Sequence, residues 1–210
     1  LTATESYDGT SYTTSPASLA TGRNNHGGDG GDNAYLAVGG NTPARTSTTE
    51  EFTVSLSATT GAAWASIANF PDSRAYSAAS GGTPTSTLVF GGYTGPGLGG
   101  FVSSGAEFNG SSWTATGDYV IDVVGVAGLG PITAGLGCGG YKDNATNVTT
   151  CAEYDGSSWT SANSANAAGQ GAKMAGTQTA GSMGNRSGDN DGHEQYDGTN
   201  WTTATNTPVS

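Results

Sequence analysis

The chain has 210 residues, of which Gly, Ser and Thr supply 90, whereas Leu, Ile, Val and Phe together supply only 26. Six Lys and Arg against 17 Asp and Glu leave a formal charge of −11. Such a composition is that of a low-complexity, disordered chain. The charge argues against nucleic-acid partners, whose phosphates must be neutralised, and the lack of an 18-residue apolar run argues against membrane insertion.

The order of the residues overturns disorder. In chain order, Glu5-Ser6-Tyr7-Asp8-Gly9-Thr10-Ser11-Tyr12 reads as two short strands around an Asp-Gly turn. Asn, Asp and Gly tolerate positive φ, so such dipeptides between aromatic-bearing runs predict hairpins. A looser copy follows at Glu50-Glu51-Phe52 with Trp64. Close copies follow at Glu107-Phe108-Asn109-Gly110 with Trp113, Glu153-Tyr154-Asp155-Gly156 with Trp159, and Glu194-Gln195-Tyr196-Asp197-Gly198 with Trp201. The leading aromatics stand at positions 7, 52, 108, 154 and 196, at spacings of 45, 56, 46 and 42 residues.

A second phrase precedes four of these copies. An apolar run ends in two glycines at Gly39-Gly40, Gly91-Gly92 and Gly139-Gly140, and a decayed version runs from Gly181 to Arg186. Gly-Gly after an apolar run ends a strand and lets another backbone come close. Each period therefore predicts about four short strands, one twisted sheet. A lone sheet cannot bury both faces, but stacked neighbours can, with a few aromatics per repeat replacing an aliphatic core. No apolar stripe of helical period persists, so helix is not expected.

The Gly-Gly runs, the Tyr or Phe that follows, the later Trp64, Trp113, Trp159 and Trp201, and the arginines at Arg23 and Arg74 resemble the kelch repeat. That resemblance covers nearly the whole chain. It implies an all-β, kelch-like β-propeller of about five four-stranded blades in a single domain, 1–210. Residues 1–16 would supply only the last two strands of a blade, and fuller blades would fall at about 21–68, 69–117, 118–162 and 163–205. The wording Tyr-Asp-Gly-(Ser/Thr)-x-Trp-Thr further resembles kelch-like repeats in structural and tail-fibre proteins of marine bacteriophages.

Several residues are candidates for a site. Cys138 and Cys151 flank the loop between the second and third strands of one repeat, where a turn near 144–145 places them opposite. They form either a disulfide, which implies an oxidising location, or two buried thiols. The loops at Asn41–Thr49, Tyr93–Gly105, Tyr141–Thr150 and Ser187–Gly192 vary most and would emerge on one face, as a binding device does. Tyr93 and Tyr141 follow Gly-Gly at matching positions and offer stacking platforms for sugar rings, or else cover the rim. Arg45 and Asn144 in these loops are further ligand-binding candidates. Ser187, Asp189, Asp191 and Gly192 echo the spacing of a calcium loop, with Asp29 and Asp32 a second candidate; the alternative is a solvated turn, and no other cofactor is implied. The two histidines, His26 and His193, are expected in exposed loops. Gly95–Gly100 and Gly135–Gly140 both fit G-x-G-x-x-G, but neither opens a helix, which that fingerprint requires. No catalytic set can be placed by spacing.

The expectation is a non-enzymatic module of a virion or of an extracellular appendage, such as a phage tail fibre, used for structure and host-surface attachment. Its partners would be other appendage subunits, a second copy of the chain and a host-surface glycan. The alternatives are a secreted or periplasmic kelch-like carbohydrate-active enzyme and a bacterial surface adhesin.

Overall fold

Asp and Asn side chains close the outer hairpins. In the computed structural model, which describes residues 2–7, 10–15, 17–31, 34–53, 63–95, 100–142, 146–187 and 189–205, Asp155 Oδ1 accepts the amides of Ser157 and Ser158, both at 2.8 Å. Asp197 Oδ1 accepts those of Thr199 and Asn200 at 2.8 and 2.7 Å. Asn109 Oδ1 does the same for Ser111 and Ser112 at 3.0 and 2.9 Å. Gly110, Gly156 and Gly198 come next, at φ of 92°, 96° and 91°, a region that disfavours any Cβ. The Ser158 amide, then the hydroxyl and amide of Ser157, hold the Asp155 carboxyl down at about 2. The Asn200 and Thr199 amides lower Asp197 likewise. Both values are depressed, so these turns keep that contribution above the ordinary carboxylate range and lose it as pH falls through the lowered values.

The strands are short and antiparallel, and the described residues contain no helix. β1 (Glu5–Tyr7) and β2 (Tyr12–Thr14) form a two-stranded sheet. The first four-stranded sheet holds β3 (Gly27–Gly31), β4 (Ala34–Val38), β5 (Thr49–Thr53) and β6 (Ala63–Ser66). The second holds β7 (Ala78–Thr83), β8 (Ser86–Phe90), β9 (Gly105–Phe108) and β10 (Trp113–Ala115). The third holds β11 (Ala127–Leu129), β12 (Gly135–Cys138), β15 (Cys151–Tyr154) and β16 (Trp159–Ala162), with a small hairpin of β13 (Tyr141–Lys142) and β14 (Thr146–Asn147) in its middle loop. The fourth holds β17 (Lys173–Thr177), β18 (Ala180–Arg186), β19 (Asp189–Tyr196) and β20 (Trp201–Thr203). Strands neighbour one another in chain order within each sheet. The first strands β3, β7, β11 and β17 touch in succession, so the four sheets stack through their leading edges.

The period-2 alternation of a strand sends successive side chains to opposite faces, and each sheet packs one face on the next. Leu36 and Val38 lie against Val89, Ala106 and Phe108. Leu88 and Phe90 lie against Ala152, Tyr154 and Trp159. Leu136 and Cys138 lie against Met183, Tyr196 and Trp201. Within each sheet the repeated aromatics pair across a hairpin. Ring centroids are 5.3 Å apart for Phe52–Trp64, 5.0 Å for Phe108–Trp113 and Tyr154–Trp159, and 4.9 Å for Tyr196–Trp201. Polar groups cross the same seams: Tyr154 donates to Glu107 Oε1 and Tyr196 to Glu153 Oε1, both at 2.8 Å.

The Gly-Gly pairs stitch one sheet to the next. The second glycines Gly40, Gly92 and Gly140, at φ of 98°, 112° and 102°, donate their amides to the carbonyls of Arg74, Val123 and Gly169 at 3.3, 2.7 and 2.7 Å. The backbone approach expected of Gly-Gly is thus a hydrogen bond between sheets. In the fourth sheet Asn185, at φ 55°, stands in the first glycine's place and Arg186 in the second's.

That exchange restores an ion pair. In the first sheet Arg23 is buried against Glu50 and caps the carbonyls of Gly39 and Thr48 at 3.0 and 2.8 Å. Arg74 caps Gly91 and Ser104 in the same way, at 3.0 and 2.8 Å, and pairs with Asp72. The third sheet has Val123 and Ala152 at the Arg23 and Glu50 positions, both in the apolar cluster. The fourth has Gly169 and Glu194 there, and Arg186 reaches in from the neighbouring strand to pair with Glu194 at 2.7 Å. A Cβ on Gly169 would lie within 2.8 Å of that arginine side chain, so glycine there is what admits it. The arginine that the repeat loses before the fourth first strand is supplied from elsewhere.

Two expectations need correction in this sheet. Its middle loop does not run from Ser187 to Gly192, because Arg186 pairs with Asp189 across a bulge and extends the ladder. His193 lies in strand β19, paired with Gly184, and not in an exposed loop.

Candidate functional site

The segment leading into each first strand contains one residue in the left-handed region: Asn25, Tyr76, Gly125 and Gly171, at φ of 52°, 57°, 61° and 70°. These residues link sheet to sheet, since Gly125 donates its amide to the Tyr76 carbonyl at 2.9 Å and Gly171 donates to Gly125 at 2.8 Å. Beside them the middle loops begin. Tyr93 exchanges backbone hydrogen bonds with Ala75 at 2.9 and 3.1 Å, and Tyr141 with Val124 at 3.0 Å each way. Tyr93 also pairs with Phe101 as an isolated bridge.

This backbone holds an aromatic row. Tyr93 and Phe101 meet edge to face with centroids 5.6 Å apart, and Phe101 meets Tyr141 at 5.7 Å, both within the favourable range for ring pairs. The Arg45 guanidinium, from the preceding sheet's loop, stacks 4.6 Å above Tyr93 and donates to the Gly95 carbonyl. Tyr76 completes the row, its hydroxyl accepting from Asn25 Nδ2 at 3.0 Å. Together Tyr76, Tyr93, Phe101, Val124, Tyr141 and Gln170 line a groove of about 450 Å³. That volume lies within the range of small-ligand sites, about 300–1,000 Å³. None of these six side chains is charged, and the Arg45 guanidinium packs beside them on Tyr93.

The structure thus brings Tyr93, Tyr141 and Arg45 to one place. Asn144 lies outside the described residues. Tyr76, Phe101 and Gln170 were not read from the sequence. Phe101 stands at the far end of a variable loop, and nothing in the sequence around Tyr76 marks its left-handed backbone.

The remaining candidates lie elsewhere. Cys138 and Cys151 are directly opposite in the β12–β15 register, with Cα atoms 4.1 Å apart, and are joined as a disulfide buried between the third and fourth sheets. A closed loop of about this length restrains the unfolded chain by roughly 3 kcal/mol, so reduction is expected to lower stability by about 2–4 kcal/mol, read from denaturant midpoints with and without reductant. Asp189 and Asp191 fall in β19, whose backbone pairs with β18 where a calcium loop would stand open; their side chains, those of Asp29, and Asp32 lie outside the described residues. Among the described residues, no three His, Cys, Asp or Glu side chains converge. His193 Nε2 lies 2.6 Å from Ser182 Oγ, and its Nδ1 lies 3.3 Å from the Thr205 carbonyl. Gly135–Gly140 forms β12 and its Gly-Gly stitch, with no helix after it; Gly95–Gly100 is only partly described.

Among the described residues, four stacked four-stranded antiparallel sheets, a further two-stranded sheet and no helix make up an all-β, kelch-like β-propeller of about five blades. The fold is similar to the solved structure of YjhT, with a TM-score of 0.71 and 13% sequence identity over 91% of this chain and 67% of that one. At that identity the likeness is one of fold. No protein-family model matches the chain, and no curated protein matches it.

Proposed function

We propose that this propeller is a non-enzymatic module of a virion or extracellular appendage, of the phage tail-fibre kind, that attaches to host-surface glycans. The observation that carries the reading is the aromatic groove of about 450 Å³ on the middle-loop face. Rigid aromatic faces accept the C–H face of a pyranose, and the tyrosine hydroxyls and the Gln170 amide supply hydrogen bonds at its edges. A buried disulfide fits an oxidising location outside the cytoplasm, and surface tyrosines on a stacked scaffold fit an adhesive device. Appendage subunits, including further copies of this chain, are the partners this reading implies. The test is binding of the purified chain to a printed array of bacterial surface glycans, followed by competition of the hit against phage-type adsorption to cells. Absence of any glycan signal would reduce the module to a structural part.

A second reading, a secreted carbohydrate-active enzyme, has one contact in its favour. Ser182 and His193 stand at nucleophile–base distance, and the other ring nitrogen faces a carbonyl, which would hold the tautomer that accepts the serine proton. Release of acetate from an O-acetylated form of the bound glycan, abolished in Ser182→Ala, would favour it.

A further inference from the structure

We propose that Tyr76 is a ligand-positioning residue of the groove, kept in a strained backbone conformation because its ring is needed there. The inference rests on the glycan reading above. The left-handed region is hostile to a bulky β-substituted residue and is tolerated by Gly and Asn. Three of the four equivalent positions obey this rule, with Asn25, Gly125 and Gly171; the second blade alone places a tyrosine there, at φ 57°.

The fold does not explain the ring. The hydrogen bond that joins this position to the next blade uses the Tyr76 carbonyl, and Gly125 makes the same bond to Gly171 with no side chain at all. The Tyr76 side chain belongs to none of the buried apolar clusters and is 50% exposed. Among the described residues, its hydroxyl accepts from the Asn25 amide, and the residue lines the groove with Tyr93, Phe101 and Tyr141. Strain that the scaffold over-determines, at the wall of a concave aromatic site, is how ligand clamps are held before the ligand arrives. The ring therefore forms part of the wall against which a pyranose stacks, and Asn25 fixes its angle.

The variant Tyr76→Asn places in the second blade the residue that the first blade uses at this position, and Tyr76→Phe keeps the ring while dropping its hydroxyl. The wild-type chain and both variants would be applied to the printed bacterial glycan array, titrated with the strongest printed oligosaccharide, and melted without ligand. The expected result is an affinity at least about tenfold lower for Tyr76→Asn, retained within a few-fold by Tyr76→Phe, with the Tyr76→Asn melting temperature unchanged or raised by a few degrees. Wild-type affinity in Tyr76→Asn would overturn the proposal and leave the glycan reading standing. A fall of more than about 5 °C in its melting temperature would make Tyr76 a structural residue and overturn it as well. If the wild-type chain binds no printed glycan, the glycan reading fails, and this proposal with it.

Discussion

Glu50→Ala is expected to lower the stability of the propeller by about 3–5 kcal/mol, the cost of stranding a buried charge. Arg23 and Glu50 are 3% and 2% exposed. Glu50 also accepts the Ala20 amide at 2.7 Å, and Glu194 accepts the Asn166 amide at 2.8 Å at the same place in the fourth blade. In the first and fourth blades the carboxylate thus ties the segment entering the blade to its third strand. Removing it leaves both an unpaired guanidinium and an unpaired amide.

The molecule contains its own control. The third blade places Val123 and Ala152 where the first has Arg23 and Glu50, and packs them in the apolar core. A buried ion pair replaced whole by apolar residues is often neutral or better. The double variant Arg23→Val/Glu50→Ala is therefore expected to lose less than about 2 kcal/mol, well below Glu50→Ala alone. Denaturant midpoints of the two singles and the double decide it. Losses that simply add would mean that the pair acts as two independent residues.

Phe90→Ala is expected to cost about 3–5 kcal/mol, through lost transfer energy and the cavity left behind. Phe90 is fully buried between the second and third blades, with centroids 4.4 Å from Trp159 and 5.3 Å from Tyr119. The site is built closely around it: a Cβ on Gly137 would lie 2.7 Å from one side of the Phe90 ring and 2.8 Å from Tyr119. Gly137 thus serves a close approach of rings to backbone, and those neighbours have little room to collapse into the space. Each blade contacts mainly its neighbours, as in other stacked repeats, so faster amide exchange should appear in the second and third blades and spread less to the fourth. Uniform protection with an unshifted midpoint would show that the seam tolerates the cavity.

Much of the fold is legible in the sequence because it is local. The Asp-Gly and Asn-Gly turns carry their own cap in the side chain of Asn109, Asp155 or Asp197, so the hairpins and their aromatic pairs follow from a few adjacent residues. Period and register then fall into line: Cys138 and Cys151, 13 residues apart, meet because the ladder between them is antiparallel and in phase. The fourth middle loop misleads because a strand can extend wherever a partner is present. Where Asn185-Arg186 replace Gly-Gly, the β18–β19 ladder runs on to Arg186 and Asp189, whereas His193 pairs with Gly184 as Cys151 pairs with Cys138 in the blade before.

By itself, the sequence determined that this glycine-rich chain is a stack of four-stranded units, since alternation and turn chemistry act over a few residues and repeat at a near-constant period. Only the tertiary structure decided which groups meet between units. It let Arg186, from the wrong strand, replace a missing arginine, and it gathered Tyr76, Tyr93, Phe101 and Tyr141 into one groove. Those encounters depend on how one sheet is rotated and seated on the next, a geometry set by the sum of side chains across the seam and encoded in no single segment.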